Sequence, residues 1–159
     1  MYDFYQENAD PNRVQQKVLL PDDYATAKLA EMAVASILGV DASFIIGRGD
    51  GGHDLSAIIN ERPYTVDVKH TNSPTGDKLI WPKSRPYSKA ADILTFVRVY
   101  PFGHEHQGII DVFGWIPRHV FKRCAVVANG EYPRGIIKDT RFMPGETLID
   151  IDILAAAAR

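Results

Sequence analysis

The chain has 159 residues, 45% of them hydrophobic and 24% charged, with a formal net charge of −2. That length suits one domain with a real core. The charge balance argues against a tight non-specific nucleic-acid binder, and says little about an enzyme with one local basic patch. A single cysteine, Cys124, excludes an internal disulfide framework and points to a reducing compartment. It follows a basic helical stretch and leads into "AVV", so it is expected to be buried. No run approaches the ~18 apolar residues of a membrane span. The first residues, "MYDFYQENADPNRVQQK", lack the basic-then-apolar order of a signal peptide. The expected location is therefore cytoplasmic, with no membrane partner.

Residues 1–20 are polar and weakly patterned and read as an N-terminal arm; 21–159 read as one domain. Pro21 and Asp22 start a helix, with Asp22 as N-cap and Asp23 in the first turn. The run "YATAKLAEMAVASIL" carries it to Leu38, and Gly39 ends it. Glu31 falls on the line Tyr24, Ala27, Val34, Leu38, which is otherwise apolar or small, so a carboxylate should look inward. A strand is expected at "SFIIG", then a turn or loop at "GRGDGG", which lacks the GK[ST] ending of a P-loop. That loop lets its backbone and Arg48 approach a ligand.

"DLSAIIN" and "YTVDVKHT" form a hairpin around "ERP". With Glu61 and Arg62 as loop residues, Asp54 faces Lys69, Ser56 faces Asp67 and Ile58 faces Thr65. Leu55, Ala57 and Ile59 then join Tyr64, Val66 and Val68 on an apolar face. Residues 72–90, with three prolines and four basic residues, read as a long loop with a short strand at Leu79 to Trp81. Strands follow at 93–100 and 108–116, a short helix at "PRHVFKR" with Pro117 in its first turn, and further strands at "GIIKD", "RFM" and "TLIDIDIL". This order gives an α/β (α+β) domain with a central mixed β-sheet flanked by helices.

The hairpin carries the chemistry. Asp54, Asp67 and Lys69 share one face, and diagonal neighbours about 7–8 Å apart can converge. Two converging carboxylates repel unless a cation lies between them, and a hard ion such as Mg2+ or Mn2+ suits oxygen ligands. Such an ion polarises a phosphate oxygen and acidifies a bound water. A lysine beside it can orient that water or stabilise developing charge. Glu31 is a candidate third carboxylate, and the Val68 carbonyl a candidate ligand.

Asp54, then "DVK" (Asp67-Val68-Lys69) on the second strand of a hairpin, with Glu31 on an upstream helix, resembles the PD-(D/E)xK nuclease superfamily. The likeness covers Glu31 to Thr71, and the later strands agree in order. His53 stands where the family name places a proline. The resemblance implies a restriction-endonuclease-like core and a Mg2+- or Mn2+-dependent phosphodiesterase acting on nucleic acid, DNA above all. Asp54, Asp67, Val68 and Glu31 would hold the metal, and Lys69 would serve the attacking water or the transition state. No Gln-x-x-x-Tyr helix of an exonuclease is evident, which favours endonuclease action, and cutting both strands would suit a homodimer.

Basic residues gather beside aromatics. Lys78, Lys83, Arg85 and Lys89 accompany Trp81 and Tyr87 in one loop, and Arg118, His119, Lys122 and Arg123 occupy one short helix. That mixture fits phosphate tracking and base stacking. "HEH", His104 to His106, has no cysteine or third histidine at ligand spacing and reads as a solvated loop. His53 and His70 flank the acidic face and read as structural, His70 pointing to the core side and His53 being the one within reach of a substrate phosphate, and "IDID" reads as a half-buried strand. Two rival readings remain: a catalytically inactive nucleic-acid-binding or assembly module on the same fold, and a small-molecule metallohydrolase.

Overall fold

The computed structural model describes residues 21–40, 54–81, 90–101, 103–127 and 141–158. The expected strand at 43–47, the "GRGDGG" loop and "GIIKD" lie outside them. Helix α1 (Pro21–Leu38) opens with proline in its first turn, where no N–H is missed. It closes in a Schellman motif. Gly39 takes φ +69, the Val40 N–H donates to the Ala35 carbonyl at 3.0 Å, and the Gly39 N–H donates to that of Ser36 at 3.3 Å.

A four-stranded sheet forms the centre, in the order β1 (Leu55–Ile59), β2 (Arg62–Thr71), β4 (Ile93–Val99), β5 (Ile110–Pro117). The outer pairs are antiparallel, while β2 and β4 run parallel. Parallel neighbours need a crossover of a dozen residues or more, and residues 72–92 provide it. Within that crossover lies β3 (Lys78–Trp81), which pairs with β7 (Arg141–Pro144), and β7 pairs with the two-residue β6 (Val126–Val127). Helix α2 (Arg118–Cys124) follows β5, and α3 (Ile151–Ala157) ends the described chain.

Strand alternation divides the apolar residues into two cores. On one face of the central sheet, Leu55, Ala57, Ile59, Val66, Val68, Ile93, Val97 and Val99 pack against Ala30, Val34 and Leu38 of α1 and Ile151 and Leu154 of α3. On the other, Leu94 and Phe96 pack against Leu79 and Trp81 of β3, Phe121 of α2 and Met143 of β7. The protein is thus a mixed α/β fold, and no described helix is long and apolar enough to cross a membrane.

Three local expectations need correction. The hairpin turns at Asn60 and Glu61 rather than Glu61 and Arg62, so Ser56 faces Thr65 and Ile58 faces Pro63. Both turn residues have positive φ, 49° and 66°, the pattern of a type I′ turn. A two-residue slide keeps every side chain on its face, so hydrophobic alternation could not detect it. The tolerance of asparagine for left-handed backbone decided the turn. Next, "TLIDIDIL" does not form a strand. Asp150 caps α3, its side chain accepting from the Asp152 N–H at 2.9 Å, and the alanines propagate the helix. Finally, Cys124 is exposed, because the single apolar anchor of the short α2 is Phe121.

Gly114 lets β5 pair with the segment that precedes α3. It has φ +145 beside a register irregularity between Phe96 and Val97. A Cβ there would strike the Ile149 carbonyl and the Leu148 side chain. The bare backbone lets Trp115 and Ile149 exchange two N–H···O bonds of 2.9 Å each, which leads the chain into α3.

Glu61 in the left-handed region costs about 1–2 kcal/mol relative to its preferred backbone. Glycine removes that strain but forfeits about 0.5–1 kcal/mol of chain entropy. Glu61→Gly is therefore expected to raise unfolding free energy by up to about 1 kcal/mol in urea titration. A loss of stability would show that the Glu61 side chain contributes more than its backbone costs.

Candidate metal centre

Asp54 stands immediately before β1. Its N–H donates to the Val66 carbonyl at 3.0 Å, and its Oδ2 accepts from the Val68 N–H at 2.6 Å. The side chain therefore reaches across to β2 instead of turning to solvent. Asp67 lies between Val66 and Val68 and is 2% exposed. Its carbonyl accepts from the buried Thr95 hydroxyl at 3.2 Å. By alternation its carboxylate projects on the side opposite Val66 and Val68. Two residues on, the Lys69 ammonium is 2.9 Å from Asp67 Oδ2 and 5.2 Å from the centroid of the Trp81 ring. The expected trio of Asp54, Asp67 and Lys69 is thus brought together.

The corrected register strengthens this convergence. Continued by one residue beyond Leu55 and Val66, it sets Asp54 beside Asp67, where the sequence pattern had suggested Lys69. The electrostatics of Asp54 reflect this neighbour. Burial is the largest influence on Asp54, and it disfavours the charged form. The negative charge of Asp67 acts the same way, as do the Asp67 hydrogen bond and the more distant charge of Glu31; the Val68 N–H opposes them. Together they push the Asp54 carboxyl up to about 9. In neutral solution the folded state therefore favours the protonated Asp54 carboxyl. A cation can replace that proton, and the donors are hard oxygens suited to Mg2+ or Mn2+.

Glu31 is on the predicted inward side of α1, its side chain 12% exposed, and its field reaches Asp54. Its carboxylate is engaged by the Lys28 ammonium at 2.7 Å, one turn back along the helix. Among the described residues no three His, Cys, Asp or Glu side chains are already gathered into a metal-binding group. The structure thus brings Asp54 and Asp67 together directly, with Glu31 facing Lys28. The Val68 N–H holds Asp54 in place.

Arg48, His53, Lys83, Arg85 and Lys89 lie outside the described residues. Lys122 and Arg123 are exposed in the last turn of α2. Trp81 is misassigned by sequence. At 3% exposed it cannot stack on a base, and its indole lies beneath Lys69 instead. The alternation of Leu79 and Trp81 in "KLIW" was the local signal for this, since both bury on one side of β3. His104 is also disqualified as a metal ligand while its Nδ1 accepts the His106 N–H at 3.0 Å. That bond leaves the proton on Nε2. The His104 ring instead stacks on Tyr100, with centroids 4.9 Å apart.

No protein-family model matches the chain, and no curated protein or solved structure matches it.

The raised Asp54 carboxyl makes a signed prediction. The folded protein retains a proton that the unfolded chain releases above about pH 4. Without a divalent ion, stability due to this group should be greatest in acid and fall as pH rises towards 9. The slope is at most ~1.4 kcal/mol per pH unit. Asp54→Asn should abolish this component and be more stable than the parent at pH 8, as read by urea titration in EDTA. Identical pH profiles for parent and variant would show that Asp54 titrates normally.

Proposed function

We propose that the protein is a metal-dependent nuclease that hydrolyses phosphodiester bonds of nucleic acid, DNA above all, on a restriction-endonuclease-like core. One observation carries the reading. Asp54 and Asp67 converge in a desolvated position that resists two negative charges, with the Lys69 ammonium beside them. Stability alone does not favour this arrangement, since like charges in a desolvated site oppose folding. A divalent cation would resolve the repulsion. The β1–β2 hairpin followed by the parallel pairing of β2 and β4 supports the fold likeness.

Asp54 and Asp67 would hold Mg2+ or Mn2+, with Glu31 contributing once it leaves Lys28. The ion would supply charge neutralisation at the phosphate and a more acidic water. Lys69 would donate a hydrogen bond to the attacking water or to the phosphate oxygen on which charge accumulates. The Val68 N–H fixes Asp54, so the carboxylate need not be ordered during reaction. Lys122 and Arg123 on α2, with Lys83, Arg85, Lys89 and Arg48, would contact the phosphate backbone. A homodimer would let both strands of a duplex be cut. The rival reading, an inactive nucleic-acid-binding or assembly module, is favoured by the engagement of Glu31 with Lys28. In that case the acidic pair would serve only as a protonated structural contact.

Asp67→Asn keeps the side-chain shape and removes one negative charge. Calorimetric Mn2+ binding and plasmid cleavage should both collapse while the fold is retained. Lys69→Ala should bind Mn2+ as well as the parent or better, yet cleave ~10²–10³-fold more slowly. Parental metal binding by Asp67→Asn, or parental cleavage by Lys69→Ala, would overturn the mechanism. An inactive module predicts neither loss.

The basic residues make a separate prediction. Replacing Lys122 and Arg123 by Ala, or Lys83 and Arg85, should weaken DNA binding and reduce the salt slope by about 0.9 for each phosphate no longer neutralised. An unchanged slope in both double variants would place the nucleic acid elsewhere.

A further inference from the structure

Lys69 has two neighbours of different kinds. Its ammonium is 2.9 Å from the Asp67 carboxylate and 5.2 Å from the centroid of the Trp81 ring, and its side chain remains 22% exposed. Trp81 itself is anchored. It pairs with Arg141 across β3 and β7, and it lies in the core that contains Leu79, Phe96 and Phe121. The indole cannot move without opening that core, whereas the lysine stem is flexible.

We propose that Trp81 is the positioning residue for Lys69, holding its ammonium by a cation–π contact while Asp67 engages a metal ion; this rests on the nuclease reading above. A cation on Asp67 draws off the negative charge that otherwise restrains Lys69. The indole face attracts an ammonium through its quadrupole but carries no net charge. It therefore retains Lys69 without competing for the metal and without neutralising the lysine. A third carboxylate in its place would do both. The second sheet thus acts on the reaction through one aromatic ring, although Trp81 touches neither metal nor phosphate.

The test varies the ring's electrostatics while keeping its shape. The chain has two tryptophans, so Trp115→Phe leaves Trp81 as the single site for biosynthetic incorporation of mono-, di- and trifluorinated tryptophan. Each variant is assayed for single-turnover plasmid cleavage with Mg2+ and for Mn2+ affinity by calorimetry. The Lys69 Cε–Hε resonance, assigned by loss in Lys69→Arg, is followed with Mg2+ present. Expected results are a stepwise fall in rate of roughly 3- to 30-fold across the series, unchanged Mn2+ affinity, and an upfield Lys69 resonance that relaxes as fluorination increases. A flat rate series in an active parent overturns the role of Trp81 and leaves the nuclease reading standing. Mn2+ affinity that follows fluorination also overturns it, since the ring would then be acting on the metal site. A parent that cleaves no phosphodiester overturns the nuclease reading and, with it, the role of Trp81. Thermal melts of all variants verify that packing is preserved.

Discussion

The parallel pairing of β2 with β4 is the constraint on which the rest of the molecule depends. Asp92 secures its start: one carboxylate oxygen accepts from the Thr65 N–H at 2.9 Å and from the Thr65 hydroxyl at 3.0 Å. The Asp92 N–H donates back to that hydroxyl at 3.0 Å. This reciprocal clamp sets Val66 beside Ile93, and every later pair follows. A one-residue slip would send Leu94 and Phe96 to the helical side and Ile93 and Val97 to the other, so both cores would fail together. The same register places Asp67 beside Leu94 and Lys69 beside Phe96, on the side that the second sheet covers. Site and core are therefore fixed by one alignment.

That covering also explains the electrostatics. In an open sheet, Asp67 and Lys69 would form a solvated pair of little worth. Here β3 and its partners exclude water, which strengthens every charge interaction near Asp67 and makes the approach of Asp54 unfavourable in its ionised form. The cost is contained because the Asp54 backbone and side chain are both bonded to β2, leaving the carboxyl nowhere else to go. Arg98 fixes the other end of the crossover. Its guanidinium donates to the Gly76 carbonyl at 2.7 Å and lies over the Phe113 ring, 4.9 Å from its centroid. The chain returning from β2 is thus held at both ends, while the acidic pair sits at the covered margin between them.

Much of this was legible in the sequence, for identifiable reasons. The Gly39 stop of α1 is short-range chemistry, as is the alternation of Leu55, Ala57 and Ile59 against Val66 and Val68. Such signals survive folding because core packing reinforces them. The shared location of Asp54, Asp67 and Lys69 followed from alternation alone and tolerated an error in register. What escaped was decided by competition or by distance along the chain. Asn60 prevailed over Arg62 at the turn through its backbone tolerance. The Asp150 cap and the alanines overcame the period-two appearance of "TLIDIDIL". The alternation of Leu79 and Trp81 pointed to burial, but the cover comes through β7, some sixty residues away in the sequence, and no local pattern announces that pairing.

The two sides of the central sheet therefore differ in composition. The side facing α1 and α3 is almost wholly apolar, with Thr95 turned to a backbone carbonyl so that its hydroxyl is satisfied. Both sides supply stability, because the opposite side also buries Leu79, Leu94, Phe96 and Phe121. The opposite side carries Asp67, Lys69 and Arg98 among aromatic rings, and its cover is a small sheet and a two-turn helix. A layer that mixes charges with the apolar Leu79, Leu94, Phe96 and Phe121 gives up some stability, since each buried charge must find a partner or lose its ionisation. It is an effective way to hold a lysine and two carboxyl groups in fixed relation, with aromatic faces as neutral supports. The physical character of the second layer, more than any single residue, is what separates this site from an ordinary surface ion pair.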